Sequence, residues 1–111
     1  MEIFYNMETI VLSSSGIKGV PEWIFELKNL KNLNLNNNEI TDIPDELFKM
    51  ENLLNLNLKN NKINKVSKKI GYMKKLRNLD LRSNPLNTKQ KNKLRGILPT
   101  ERVRLRLDSD V

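Results

Sequence analysis

Apolar and polar residues alternate along this chain in short bursts, and the bursts recur at a fixed interval. Leu33 and Leu35 stand between Asn32, Asn34 and Asn36, a period of two that turns one face of a strand inward and leaves the other outside. The same alternation returns at Leu56 and Leu58 and again at Leu79 and Leu81, each time 23 residues on. Other columns keep the step: Leu30, Leu53 and Leu76; Ile40, Ile63 and Leu86; Ile24, Leu47 and Ile70; Leu27, Met50 and Met73. One step back, Met7, Ile10, Leu12 and Ile17 occupy the same places. A strand that recurs once per full coil must lie parallel to its predecessor. No single coil can bury its apolar face alone, so stability has to come from stacking.

The second half of each interval predicts a different element. Residues 44–50 run Pro-Asp-Glu-Leu-Phe-Lys-Met, which suits one helical or 3-10 turn with the proline at its first position and acids at its positive end. Pro21 matches Pro44, whereas Ser67 stands in the third copy. Asn38, Asn61 and Asn84 fall where the chain leaves each strand. An asparagine there can bond backbone groups that the turn leaves unpaired, and stacked copies make a structural ladder. Ser15 holds that place in the first copy.

These residues resemble the leucine-rich-repeat family, pattern LxxLxLxxNxL, which reads here LKNLNLNNNEI, LLNLNLKNNKI and LRNLDLRSNPL. The 23-residue step with Ile-Pro in the second half resembles the Ras-group subclass, found in short bacterial and intracellular members. The resemblance covers residues 7–98 and implies an α/β solenoid. Its concave side would be a short parallel sheet of about five strands, its convex side helical or 3-10 turns. Residues 1–111 then form one domain, with four repeats over 7–98.

Both ends depart from the repeat. Residues 1–6 map onto the tail of a repeat, and two readings stand. Either Ile3, Phe4 and Tyr5 fold over Ile10 and Leu12 as a small N-terminal cap, or the chain is the last piece of a longer array with an open edge at residues 7–13. At the other end, Thr88 is placed to cap a longer helix reaching about Leu98, which Pro99 ends. Residues 99–111 would supply a capping strand and tail. Alternation from Arg102 to Leu107 buries Val103 and Leu105 and puts Arg102, Arg104 and Arg106 on the concave face. Those arginines would equally blunt a sheet edge against aggregation.

Composition narrows the chemistry. The 111 residues contain no Cys and no His, which removes disulfides, thiolate or imidazole metal ligands and every His-dependent triad. With no general acid–base pair to place, an enzyme, a cofactor and a small-molecule substrate are not expected. No run approaches a membrane span, and the N-terminus lacks a signal-like pattern, so a cytoplasmic protein is the expectation. Charge is unevenly spread: residues 1–50 carry 4 Lys/Arg against 8 Asp/Glu, residues 51–75 carry 7 against 1, and residues 76–111 carry 9 against 4.

In such a solenoid the outward strand positions line the concave side. That face would carry Asn32, Asn55 and Asn78, then Asn34, Asn57, Asp80 and Arg104, then Asn36, Lys59, Arg82 and Arg106. By the resemblance it is the expected partner-binding face. Lacking Tyr and Trp, the usual interface anchors, it suits an acidic or polar protein partner, bound through hydrogen bonds and steering. Trp23, which shares a column with Glu46 and Lys69, is either an exposed anchor or a shield for the first coil. Lysines 65, 68, 69, 74 and 75 cluster on convex turns, without the interleaved aromatics that nucleic-acid binding uses, and read as a solvated face. Asp108 and Asp110 fall in a terminal tail. The alternative function is weak head-to-tail self-association of the acidic and basic halves. A basic nucleic-acid-binding protein ranks below it.

Overall fold

The computed structural model describes residues 7–109. The alternating bursts form five strands, β1 (Thr9–Val11), β2 (Asn32–Asn34), β3 (Asn55–Asn57), β4 (Asn78–Asp80) and β5 (Arg104–Arg106). They make one parallel sheet in chain order. Ile10 pairs with Leu33, Leu33 with Leu56 and Leu56 with Leu79, so the repeat step is also the sheet register. Each strand is short because the chain must turn inward to complete its coil. Ser14, Asn37, Asn60 and Ser83 make that turn with φ of 55°, 58°, 59° and 60°. Asparagine tolerates this left-handed region better than most residues with a Cβ.

Three 3-10 turns close the convex side: η1 (Glu22–Glu26), η2 (Asp45–Lys49) and η3 (Lys68–Tyr72). Pro21 and Pro44 stand at the caps of these turns rather than at their first helical positions, with extended ψ of 137° and 150°. The reason lies in the bond that starts each turn. The proline's own carbonyl accepts from Ile24 N and Leu47 N, both at 3.1 Å, so the proline stays outside the helix it opens. Ser67 substitutes a side-chain cap, its Oγ accepting from Lys69 N at 3.1 Å.

Between sheet and turns runs a single apolar column. Leu35 and Leu58, Ile40 and Ile63, and Leu47 and Ile70 are fully buried, each pair one repeat step apart. Phe48 is buried and Phe25 partly buried. Gly71 takes their place in the third coil, where an added Cβ would meet Ile97 Cγ2 at 2.8 Å. The helix α1 (Thr88–Ile97) has moved into the space a third Phe would fill. Its cap is Asn87 rather than Thr88: Asn87 Oδ1 accepts from Gln90 N at 2.9 Å, leaving Thr88 as the first helical residue.

The last coil corrects the expected register. Arg104, Leu105 and Arg106 pair with Asn78, Leu79 and Asp80, so the final step is 26 residues, not the 24 that would put Arg102 beside Asn78. A ten-residue α-helix is a longer crossing than a 3-10 turn. After it, Arg102 N and Val103 N both bond Pro99 O, a tight turn that delays the strand. Arg102 consequently leaves the concave face. Its Nη1 donates to Leu76 O at 2.7 Å and Met73 O at 3.3 Å, closing carbonyls where the third coil passes into the fourth. Val103 is buried, while Leu105 is only partly so. Asp108 is not loose either: its Oδ2 accepts from Ser83 N at 2.8 Å. Asp110 and residues 1–6, with the expected cap of Ile3, Phe4 and Tyr5, lie outside the described residues.

Candidate functional site

At the exits of β2, β3 and β4 an asparagine is buried, Asn38, Asn61 and Asn84 retaining 8%, 6% and 8% of their exposure. A buried amide is tolerable only when its atoms are paired. Asn61 shows how: Nδ2 donates to Leu58 O in its own coil and Leu35 O in the coil before, and Oδ1 accepts from Ile40 N. Asn84 makes the equivalent bonds to Leu81 O, Leu58 O and Ile63 N. Asn38 reaches Leu35 O and Leu12 O, and takes both Ser15 N and Ile17 N. These bonds tie adjacent coils together and hold the strands that present the concave face.

That face is a trough of about 400 Å³ crossing all five strands. Asn32, Asn34, Asn55, Asn57, Asn78, Asp80 and Arg104 line it, together with Thr9, Val11 and Arg106. Asn36, Lys59 and Arg82 lie two residues beyond the ends of β2, β3 and β4 and do not line it. Arg106 is the residue whose position sequence reasoning missed. Leu105 alternates with arginines just as Val103 does, and only its match to the leucine column at Leu79 would have told the frames apart.

Two rows of side chains in the trough are organised differently. Along the strand starts, the amides bond one another: Asn78 Nδ2 donates to Asn55 Oδ1, Asn55 Nδ2 to Asn32 Oδ1, and Asn32 Nδ2 to Thr9 Oγ1. Along the strand ends, each side chain bends back onto its own backbone. Asn34 Oδ1 accepts from Asn36 N, Asn57 Oδ1 from Lys59 N, and Asp80 Oδ1 from Arg82 N, at 3.0, 3.0 and 3.1 Å. A backbone N–H can only donate, so the atom facing it must be oxygen, and the Asn34 and Asn57 amide nitrogens face the cleft. Among the described residues no protein group accepts from either nitrogen.

Asp80 breaks the row of amides. Arg82 clamps it in a two-pronged pair, Nε to Oδ1 at 3.0 Å and Nη2 to Oδ2 at 2.7 Å. Burial alone would push the Asp80 carboxyl up, but the Arg82 side-chain and backbone hydrogen bonds, with the charges of Arg82 and Arg106, outweigh it and hold it below its usual range. The same contact holds the Arg82 guanidinium above its usual value. Asn36 carries the opposite situation, an Oδ1 that is buried and has no donor among the described residues.

Elsewhere on the surface, Trp23 and Tyr72 are exposed on convex turns. The convex lysines are partly paired: Lys69 Nζ meets Asp45 Oδ2 at 2.8 Å and Lys75 Nζ meets Asn52 Oδ1 at 3.0 Å. No cluster of potential metal ligands occurs among the described residues, and no helix there is long and apolar enough to cross a membrane.

Comparison with known proteins agrees with this architecture. A family model described as leucine rich repeat matches residues 28–86, and a second, for two copies of such repeats, matches residues 5–49. No curated protein matches the chain. Among solved structures, a leucine-rich-repeat protein of Leptospira interrogans is 33% identical over 90% of this chain, with a TM-score of 0.82. Two internalins of Listeria monocytogenes share the fold. One is 20% identical over 78% of the chain at a TM-score of 0.59. The other, internalin C2, is 19% identical over 95% at 0.61. The chain spans 25% of the Leptospira protein, and 26% and 40% of the internalins.

Proposed function

The chain belongs to the leucine-rich-repeat family, and from that premise we propose that it is a protein–protein interaction module whose partner lies in the concave trough. Members of this family commonly bind other proteins, and the fold is typically not an enzyme's. The observation that carries the reading to this face is the pair of outward amide nitrogens on Asn34 and Asn57. They are held in place by backbone bonds yet have no acceptor among the described residues. Positioned polar groups of this kind lose little freedom when a partner satisfies them.

The test compares faces. A variant with Asn34 and Asn57 changed to Glu should lose a partner that the native chain retains. A convex control, Lys68→Glu with Lys74→Glu, should keep it. Loss in the control together with retention in the concave variant would overturn the reading.

A second reading is edge-to-edge self-association. Strand β5 pairs only with β4 among the described residues, and a hollow of about 450 Å³ beside it is lined by Leu98, Val103, Leu105 and Leu107. The acidic first half of a second copy would complement the nearby arginines. Light scattering at low and high salt decides it, since a monomer at both excludes the association.

A further inference from the structure

Bonding within the trough engages most of its amide oxygens and few of its amide N–H groups. The Oδ1 atoms of Asn34 and Asn57 each accept from a backbone N–H group and those of Asn32 and Asn55 from a neighbouring amide, while Asn78 Oδ1 has no donor among the described residues. Each amide of the first row still has one N–H to offer, and Asn34 and Asn57 have two apiece. At the β5 end stand Arg104 and Arg106, both exposed, which donate and cannot accept. The carboxylate of Asp80 is already clamped by Arg82. What the cleft presents is a surplus of N–H donors that ends in two cations, with Asn78 Oδ1 the one strand amide oxygen in the trough that no protein donor engages among the described residues.

Resting on the concave-face reading, we infer that the partner contributes an extended acidic segment. It runs across the strands, and its carboxylates lie over β4 and β5. Five strands at a spacing of about 4.8 Å span about 19 Å. An extended chain covers that in about six residues. Backbone carbonyls of the segment, whatever its sequence, can accept from Asn34 and Asn57, while its Asp or Glu side chains meet Arg104 and Arg106. Val11, 60% exposed at the β1 end, leaves one place for an apolar side chain at the other end of the segment.

Two substitutions test the donor argument from opposite sides. Asn34→Asp with Asn57→Asp keeps the oxygen that the backbone needs, as Asp80 already does in β4, and replaces the outward amide with an oxygen anion. Asp80→Asn completes the amide row and releases the Arg82 guanidinium. The probes are fluorescein-labelled hexaglutamate, hexalysine and a Gly-Ser hexamer, followed by fluorescence anisotropy at low salt. Binding sites are mapped by amide chemical shifts.

The native chain should prefer hexaglutamate. The double Asp variant should weaken that binding about tenfold, and Asp80→Asn should strengthen it severalfold, a gain that a misfolded variant cannot imitate. Hexaglutamate binding that is unchanged in the double Asp variant, or not strengthened by Asp80→Asn, overturns the inference. If hexalysine or the Gly-Ser hexamer shifts the strand amides and hexaglutamate does not, the acidic segment is wrong while the concave reading stands. If hexaglutamate shifts only the convex lysines, the concave reading fails with it.

Discussion

At the scale of single residues, the buried asparagines separate structure from display. Asn61→Ala removes the donor that served Leu35 O and Leu58 O and leaves Ile40 N without its acceptor. Orphaned buried groups cost about 1–3 kcal/mol each. A loss of about 3 kcal/mol is therefore expected by denaturant titration, and a loss below about 1 kcal/mol would contradict the ladder's role. Asp80 adds a pH term. Its folded carboxyl titrates below its usual value near 3.8, so the stabilisation it contributes is present above that value and is lost as pH falls through the lowered one. Because Arg82 remains 37% exposed, the term should not exceed about 1 kcal/mol. Comparing the native chain with Asp80→Asn by urea midpoints between about pH 2 and pH 5 should show the native chain losing stability faster as the medium acidifies.

At the scale of elements, α1 has displaced the pattern it follows. Gly71 breaks the column of Phe25 and Phe48 because Ile97 Cγ2 occupies the place where a side chain would begin. Gly71→Ala should destabilise by about 1–2 kcal/mol despite alanine's better local propensity, since a packed site resists added volume. Ile97→Ala removes the clashing methyl, so in the double variant the Gly71→Ala penalty should largely vanish. Additive losses in that cycle would show that the two positions do not compete for one space. The helix also explains why β5 starts late, and hence why Arg106 rather than Arg104 faces Asp80.

At the scale of the molecule, charge and shape work against each other. The described chain extends 47 × 31 × 18 Å, and residues 51–111 carry 16 Lys/Arg against 5 Asp/Glu. Like charges in the later coils repel, and the repulsion is screened over about 10 Å at 0.1 M salt. Moderate sodium chloride should therefore raise the thermal midpoint. A midpoint that falls or stays constant from low to moderate salt would mean that ion pairs such as Lys69 with Asp45 outweigh the repulsion.

Strand position, strand direction and the core columns were legible in the sequence, because a period of two inside a fixed repeat leaves one way to stack coils. The same pattern named the side chains of the trough, from Asn32 to Asp80, since outward strand positions follow once the inward ones are known. Three things depended on the folded chain. The frame of β5 was set by the length of the α1 crossing and the turn at Pro99, which no local alternation records. Asn87 took the cap from Thr88 because its side chain reaches Gln90 N. The outward direction of the Asn34 and Asn57 amides arose from bonds to their own backbone two residues on. An amide carries a donor and an acceptor on one carbon, so its identity in a sequence cannot say which of them meets a partner. The backbone around it decides that.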